Sequence, residues 1–335
     1  NPTYAIDMLK KLLAMNPTSA LGQRELADKY YDTKNYKEAV VEYAKYVKNP
    51  NHFKQDEDRY AFLLFFSGDY KAGYDFATKL LAENPANFTA QRYQFMNAAQ
   101  MPEMKDQLLP MAEALVANHN ETNRFAAIDY TLIADEFKNA KQYDKAIAVL
   151  EEGIKEMPEN ASFYKSLAML YVEQNQIAKA ADTYKGYIAN LANPGFNDKS
   201  QYATFCYYGA IEAKATDADR SNALFDEATA IAQELAEKYP TVPRGYKMLG
   251  DIKVQRANEA EVAVIAFDEY KKACDIIVNE GNAAQFASDA KVVFNYLGNY
   301  YLEQGDVETA KVYFYKYLEI DPNNNAYRSF VEGLK

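Results

Sequence analysis

Apolar residues along the chain return at three- and four-residue intervals, the spacing of one face of an α-helix, and this arrangement itself recurs about every 34 residues. The clearest unit is Phe294-x2-Leu297-Gly298-x2-Tyr301, followed after eight residues by Ala310, then Phe314 and Pro322. The same spacing is found in Tyr164-x2-Leu167-Ala168-x2-Tyr171 with Ala180 and Tyr184, and in Tyr130-x2-Ile133-Ala134-x2-Phe137 with Ala146, Leu150 and Pro158. Each unit predicts two helices joined by a short turn. No stretch alternates apolar and polar residues as a half-buried strand does, and prolines at 17, 50, 85, 158, 194, 240 and 322 fall at unit ends.

The residue types at these positions have physical reasons. Gly298, Ala134 and Ala168 lack bulk where a partner helix crosses, so two helix axes approach to about 8 Å. Tyr164, Tyr171 and Tyr301 fill the gap beside the crossing, while Ala146, Ala180 and Ala310 permit close approach from the second helix. The closing proline has no amide hydrogen and clashes with the preceding turn, so the second helix stops there. This pattern resembles the tetratricopeptide repeat. The resemblance implies an all-α fold, a right-handed superhelical solenoid of antiparallel helix pairs, whose neighbouring hairpins bury one another's apolar faces and whose long concave wall is the binding surface.

Aligned on these anchors, residues 1–335 form a single array with repeats at 20–53, 54–87, 88–121, 127–160, 161–194, 198–240, 243–280 and 291–324. Residues 3–16 read as a second helix without its first, and 326–335 as a capping helix. The 88–121 unit is degenerate, with Met101-Pro102 between its helices and Pro110 inside the second, where a kink is expected unless it occupies an early turn. The 198–240 unit matches poorly around Tyr202 to Lys214 and is lengthened at Thr216-Asp217-Ala218-Asp219; a spacer at 279–284 precedes the last repeat.

Composition narrows the function. Hydrophobic residues at 49% and charged residues at 25% are the balance of a folded chain rather than a disordered one. No stretch nears the roughly 18 uninterrupted apolar residues that a bilayer span needs, so direct membrane insertion is not expected. The net charge of −11 argues against sequence-independent binding of nucleic acid or anionic lipid and favours basic or neutral partners. Cys206 and Cys274 lie far apart in helical patterns, giving no disulfide framework and no metal-ligand spacing; two buried thiols are expected, or one bond if the stack brings them together. The chain starts without Met, a basic start or an apolar signal core, which points to a removed upstream segment, a secretion signal or a further repeat. The Asn, Tyr and Lys usage resembles repeat-rich envelope proteins of anaerobic gut-type bacteria, implying periplasm or cell envelope, with the cytoplasm as alternative.

Motifs that carry chemistry are missing. No two glycines lie closer than five residues, as a phosphate-cradling loop requires, and neither a Gly-x-Ser-x-Gly elbow nor a His-Glu-x-x-His motif occurs. His52 and His119, the two histidines, fall between helices and read as solvated loop residues. Glu151-Glu152 and Glu259-x-Glu261 lack the apolar shielding a working acid needs, and Asp321-Pro322-Asn323-Asn324-Asn325 lacks the Gly and terminal Glu of a calcium loop. Neither catalysis nor a cofactor is expected. A hydrolase hidden in 88–121 or 216–222 is the enzyme alternative, and the soluble repeat region of a larger enzyme or envelope complex is another.

The resemblance implies an inner wall built from first-helix positions that packing leaves over. These are Arg24, Asp28 and Tyr31; Gln55, Asp58, Phe62 and Phe65; and Arg92 and Met96. Further along they are Thr131, Asp135 and Lys138; Lys165 and Met169; Lys247 and Asp251; and Asn295 and Asn299. Mixed charge with interspersed aromatics and methionines suits a protein or peptide segment held by apolar anchors and polar register contacts. The run Phe62-Leu63-Leu64-Phe65-Phe66 is apolar around the whole helix: it is either buried on both sides or an exposed docking patch. Lys291-x3-Asn295 has the spacing with which some family members hold a carboxylate tail, but it begins too early in its helix and no complete repeats follow, so that activity is rejected. The 29 tyrosines invite a sugar-binding reading, yet most occupy packing positions, and core packing accounts for them better. Oligomeric state is left open.

Overall fold

A computed structural model describes residues 2–258, 261–262, 264–279 and 283–335, and every regular element among them is helical. The chain divides into two compact units, Asn1–Met157 and Pro158–Lys335, at the proline that closes the 127–160 repeat. The first unit runs α1 (Pro2–Met15), α2 (Ala20–Asp32), α3 (Tyr36–Tyr46), α4 (Glu57–Ser67), α5 (Tyr70–Glu83), α6 (Phe88–Ala98), α7 (Lys105–Asn118), α8 (Ala127–Asn139) and α9 (Tyr143–Glu156). The second runs α10 (Ala161–Glu173), α11 (Ile177–Ala189), α12 (Phe196–Ala213), α13 (Ala218–Lys238), α14 (Arg244–Arg256), α15 (Phe267–Asn279), α16 (Ala287–Glu303), α17 (Val307–Ile320) and α18 (Asn325–Gly333). The expected spacer at 279–284 and the residue Glu259 fall in part outside the described residues.

Local chemistry sets the helix ends. Within a hairpin the turn needs one residue with left-handed backbone, supplied by Gly68 and Gly305 in two repeats and by Lys34, Lys141 and Asn175 in three others. Positions 34 and 68, and again 141 and 175, stand 34 residues apart, so the backbone carries the period as well as the side chains. Side-chain oxygens then cap the next helix by accepting an early backbone N–H: Ser19 from Gly22 at 3.1 Å, Asn87 from Ala90 at 3.0 Å and Asp306 from Thr309 at 3.0 Å.

The small residues at the crossings are buried as the spacing predicts. Ala39, Ala146, Ala168, Ala180 and Ala310 are fully covered, and Gly298 is buried against Phe314. Large side chains fill the space alongside, with Tyr43, Phe137, Phe163 and Phe314 almost wholly removed from water. A fully buried aromatic of this size is worth about 3–5 kcal/mol when truncated to Ala.

Two local expectations change. The extra length of the 198–240 unit is not a loop at 216–219: Asp217 caps α13 by accepting from the Arg220 N–H at 2.9 Å, and the additional residues extend α12 to 18 residues and α13 to 21. The cause lies upstream, where the Asp198 carboxylate accepts from the Gly195 N–H at 3.0 Å and the Tyr187 hydroxyl at 3.1 Å, so α12 starts at Phe196. Helix α7 includes Pro110 at its sixth position, where the missing N–H forgoes the bond to the Asp106 carbonyl. Helix α16 starts at Ala287 rather than 291, which brings Asp289 into its first turn.

Candidate partner-binding cleft

In the first unit, the predicted inner-wall residues divide between packing and surface. Arg24 pairs with Asp56 at 2.8 Å, and Asp28 accepts both the Tyr43 hydroxyl and the Arg59 guanidinium at 2.8 Å. Tyr31 meets Phe62 edge-on at 5.8 Å, and the Arg59 guanidinium lies over the Tyr31 ring, 5.7 Å from its centroid. Asp58 is half-buried beside Asn87, and burial raises its carboxyl above the usual carboxylate value. Gln55 and Asp135 are exposed and Lys138 is half-exposed.

Two of these residues do not stand on an open wall. Phe65 is 8% exposed and Met96 1%, because the α4 hairpin packs against α6 and draws both into one apolar cluster with Ala61, Ala77 and Tyr93. The Phe62–Phe66 run accordingly resolves in favour of burial: Leu63 and Leu64 are covered as well, Phe62 is half-buried, and only Phe66 remains largely exposed. Arg92 is drawn inward too, its guanidinium held on the Asp129 carboxylate at 2.7 Å.

In the second unit two of the predicted residues, Asn295 and Asn299, come together in one cleft. A cleft of about 630 Å³ opens along α16, bounded by α14, α15, α17 and α18. Its size falls within the range of pockets that take a small ligand or a peptide side chain. Asn295 and Asn299 line it; the Tyr327 hydroxyl donates to Asn295 at 2.9 Å and the Asn299 amide to the Asn295 carbonyl at 2.8 Å. Asp251 stands behind the wall, accepting the Tyr270 hydroxyl at 2.7 Å and pairing with Lys247. Lys165 lies apart, over the Tyr187 ring, and Met169 is exposed on the same helix.

Tyrosines dominate the cleft. Tyr270, Tyr296, Tyr300, Tyr317 and Tyr327 all contribute to its lining, with Tyr270 and Tyr296 rings 4.3 Å apart and Tyr317 and Tyr327 stacked at 4.2 Å. The Tyr296 hydroxyl is fixed by the Val262 carbonyl and the Ala266 N–H, both at 3.1 Å, and burial raises its pKa. The sequence assigned tyrosines mainly to core packing, and for Tyr270 burial agrees; Tyr296, Tyr300, Tyr317 and Tyr327 pack on one side and face the cleft on the other.

The buried carboxylates escaped sequence reasoning. Asp129 is fully buried and Asp289 3% exposed; each sits in the first turn of a first helix and meets an arginine from the preceding first helix, Arg92 and Arg244 respectively. Burial pushes both carboxyls up, which the arginines offset only in part. The available signal was an arginine early in one first helix followed by an aspartate at the start of the next. The histidines also differ from the solvated reading. His52 bonds the Asn49 carbonyl at 2.7 Å and the Glu57 carboxylate at 3.0 Å, and His119 stacks on Phe125 at 4.2 Å. Cys206 and Cys274 are both free and buried. Among the described residues no group of three His, Cys, Asp or Glu is placed to hold a metal ion, and no helix is long and apolar enough to cross a membrane.

Comparison with known proteins bears on the same regions. Tetratricopeptide-repeat family models match residues 139–203 and 294–324. Among solved structures, the C-terminal part of a TPR repeat-containing protein from Cytophaga hutchinsonii is similar over 83% of this chain and 99% of its own, at 16% identity and a TM-score of 0.58. A MamA fragment from Desulfovibrio magneticus is 18% identical, over 51% of this chain and 94% of its own, with a TM-score of 0.44. A thermophilic TPR protein from Thermus thermophilus is 16% identical, over 62% and 97%, with a TM-score of 0.37. At these identities the Cytophaga structure supports the fold alone. No curated protein sequence matches the chain.

Proposed function

Tetratricopeptide repeats are matched at residues 139–203 and 294–324, and we propose that the chain is a non-catalytic scaffold that holds a segment of another protein on its first-helix faces. The observation that carries this reading is the division of labour along the first helices. One side of each is packed through small residues and buried aromatics, while Asp135, Lys165, Met169 and Asn299 are left at the surface of the same elements. Such a surface combines fixed backbone with mixed polar and apolar contacts, which is what recognition of an extended or helical segment uses. The net charge of −11 favours a basic or neutral segment. The compartment proposed from composition is the bacterial periplasm or envelope.

Site-specific photo-crosslinking in the source cells tests the reading. A photoreactive amino acid at Met169, on a first helix and 44% exposed, is expected to trap a defined protein; the same group at Val312, on a second helix and 54% exposed, is not. Equal trapping from both positions, or trapping from Val312 alone, removes the first-helix face as the binding surface.

A further inference from the structure

We propose that the cleft along α16 is a receptor for a cationic side chain, arginine or lysine, presented by a basic segment of the partner, with the Tyr296 and Tyr300 rings as its walls and Glu303 as its counter-charge. This rests on the scaffold reading above and specifies the chemistry of the partner. Tyr296, Tyr300 and Glu303 stand at i, i+4 and i+7 of one helix, so all three present to the same side. All three line the cleft. Val254 and Val292 supply the apolar surface against which the methylene stem of a long basic side chain lies.

The two ends of the cleft differ in charge. Lys291 and Glu303 are twelve residues apart on α16, about 18 Å along its axis. At one end Lys291 is neutralised by Asp321 at 2.9 Å and rests over the Tyr317 ring, 5.9 Å from its centroid. That end already shows the arrangement proposed for the other, a cation seated against a tyrosine face with a carboxylate in reach. At the opposite end Glu303 is exposed and, among the described residues, has no ion-pair partner. A carboxylate at the mouth of an aromatic cleft in a chain of net charge −11 selects for positive charge and against acidic tails.

The test is fluorescence anisotropy of the full chain at about 0.15 M salt, a concentration at which exposed charges more than about 8 Å apart are screened. The probes are a labelled Gly-Ser dodecapeptide carrying two arginines and the same peptide with citrulline, the neutral isostere, in their place. The arginine peptide is expected to bind and the citrulline peptide to bind at least about 5-fold more weakly. Glu303→Gln and Tyr300→Leu are each expected to weaken the arginine peptide by about 5- to 30-fold. Glu308→Gln, whose side chain is 91% exposed on α17, leaves it unchanged and controls for general charge. Glu303 is exposed, so its variant keeps the fold, and far-UV circular dichroism checks Tyr300→Leu. Equal binding of the two peptides, no loss in Glu303→Gln, or an equal loss in Glu308→Gln overturns the proposal. If the crosslinked partner is still trapped at Met169 while these peptides fail, the cleft assignment falls and the scaffold stands. If trapping fails as well, the scaffold reading itself falls.

Discussion

Replacing Gly298 by alanine adds a single methyl at the tightest α16–α17 crossing, and its cost follows from the geometry. The new Cβ would lie 2.2 Å from Phe314 Cε1, 2.5 Å from Cδ1 and 2.8 Å from Cζ, whereas ordinary contact begins at 3.4 Å. The ring must therefore retreat by about 1.2 Å, the difference between 3.4 and 2.2 Å. It has little room: Phe314 is fully buried, with Tyr327 and Phe330 edge-on to it at 5.8 and 5.5 Å, so its movement disturbs α18 as well. Overpacking of this kind costs about 1–3 kcal/mol. Against it stands the helix-propensity gain from removing glycine, about 1 kcal/mol. The expected net result is a loss of up to about 2 kcal/mol, read as a lower urea midpoint by circular dichroism and tyrosine fluorescence with unchanged slope. Gly333→Ala is the control, because nothing lies within 4 Å of its added Cβ, and it is expected to be neutral or slightly stabilising. If Gly298→Ala gains stability as Gly333→Ala does, the two helices do not nest through that glycine and the packing rationale is refuted.

Two further outcomes follow from buried ionisable groups. Arg92→Met leaves Asp129, fully buried, without its counter-charge and is expected to lose about 3 kcal/mol or more at pH 7.5. A carboxyl whose folded pKa lies above its unfolded value contributes stability at low pH and loses it as pH rises through the folded pKa; removing Arg92 raises that folded pKa further, so the deficit in urea denaturation should shrink at pH 5. A deficit independent of pH would mean that Asp129 does not carry the charge in question. Cys206 and Cys274 are held up at about 12 and about 11, chiefly by burial, so at pH 8 the thiolate fractions are about one in ten thousand and one in a thousand. Iodoacetamide is expected to leave the native chain unlabelled over an hour and to label both cysteines in urea; rapid native labelling contradicts their burial.

Legibility in the sequence followed the kind of interaction. The helices and crossings were readable because small residues such as Ala168 and Gly298 and closing prolines such as Pro158 act locally and at fixed spacing. The α12–α13 hairpin was misjudged because its start is fixed by Asp198 through a cap and a tyrosine from the preceding helix, a contact that spacing does not encode. Phe65 and Met96 look like free first-helix positions in a one-repeat template, yet the neighbouring hairpin covers them. The clasps of Arg92 on Asp129 and Arg244 on Asp289 join residues 37 and 45 positions apart, and neither partner looks unusual alone. Of the cleft, Asn295 and Asn299 are positions that the repeat resemblance implies. Glu303 and the open sides of Tyr296 and Tyr300 emerge only when α14, α17 and α18 are set around α16.

Hydrogen–deuterium exchange of the chain alone and bound to its crosslink-identified partner addresses the binding face most directly. Added protection is expected in first helices, above all α10 and α16, with second helices such as α11 and α17 unchanged. Protection confined to the second helices, or spread equally over both, would contradict a partner held on the first-helix faces.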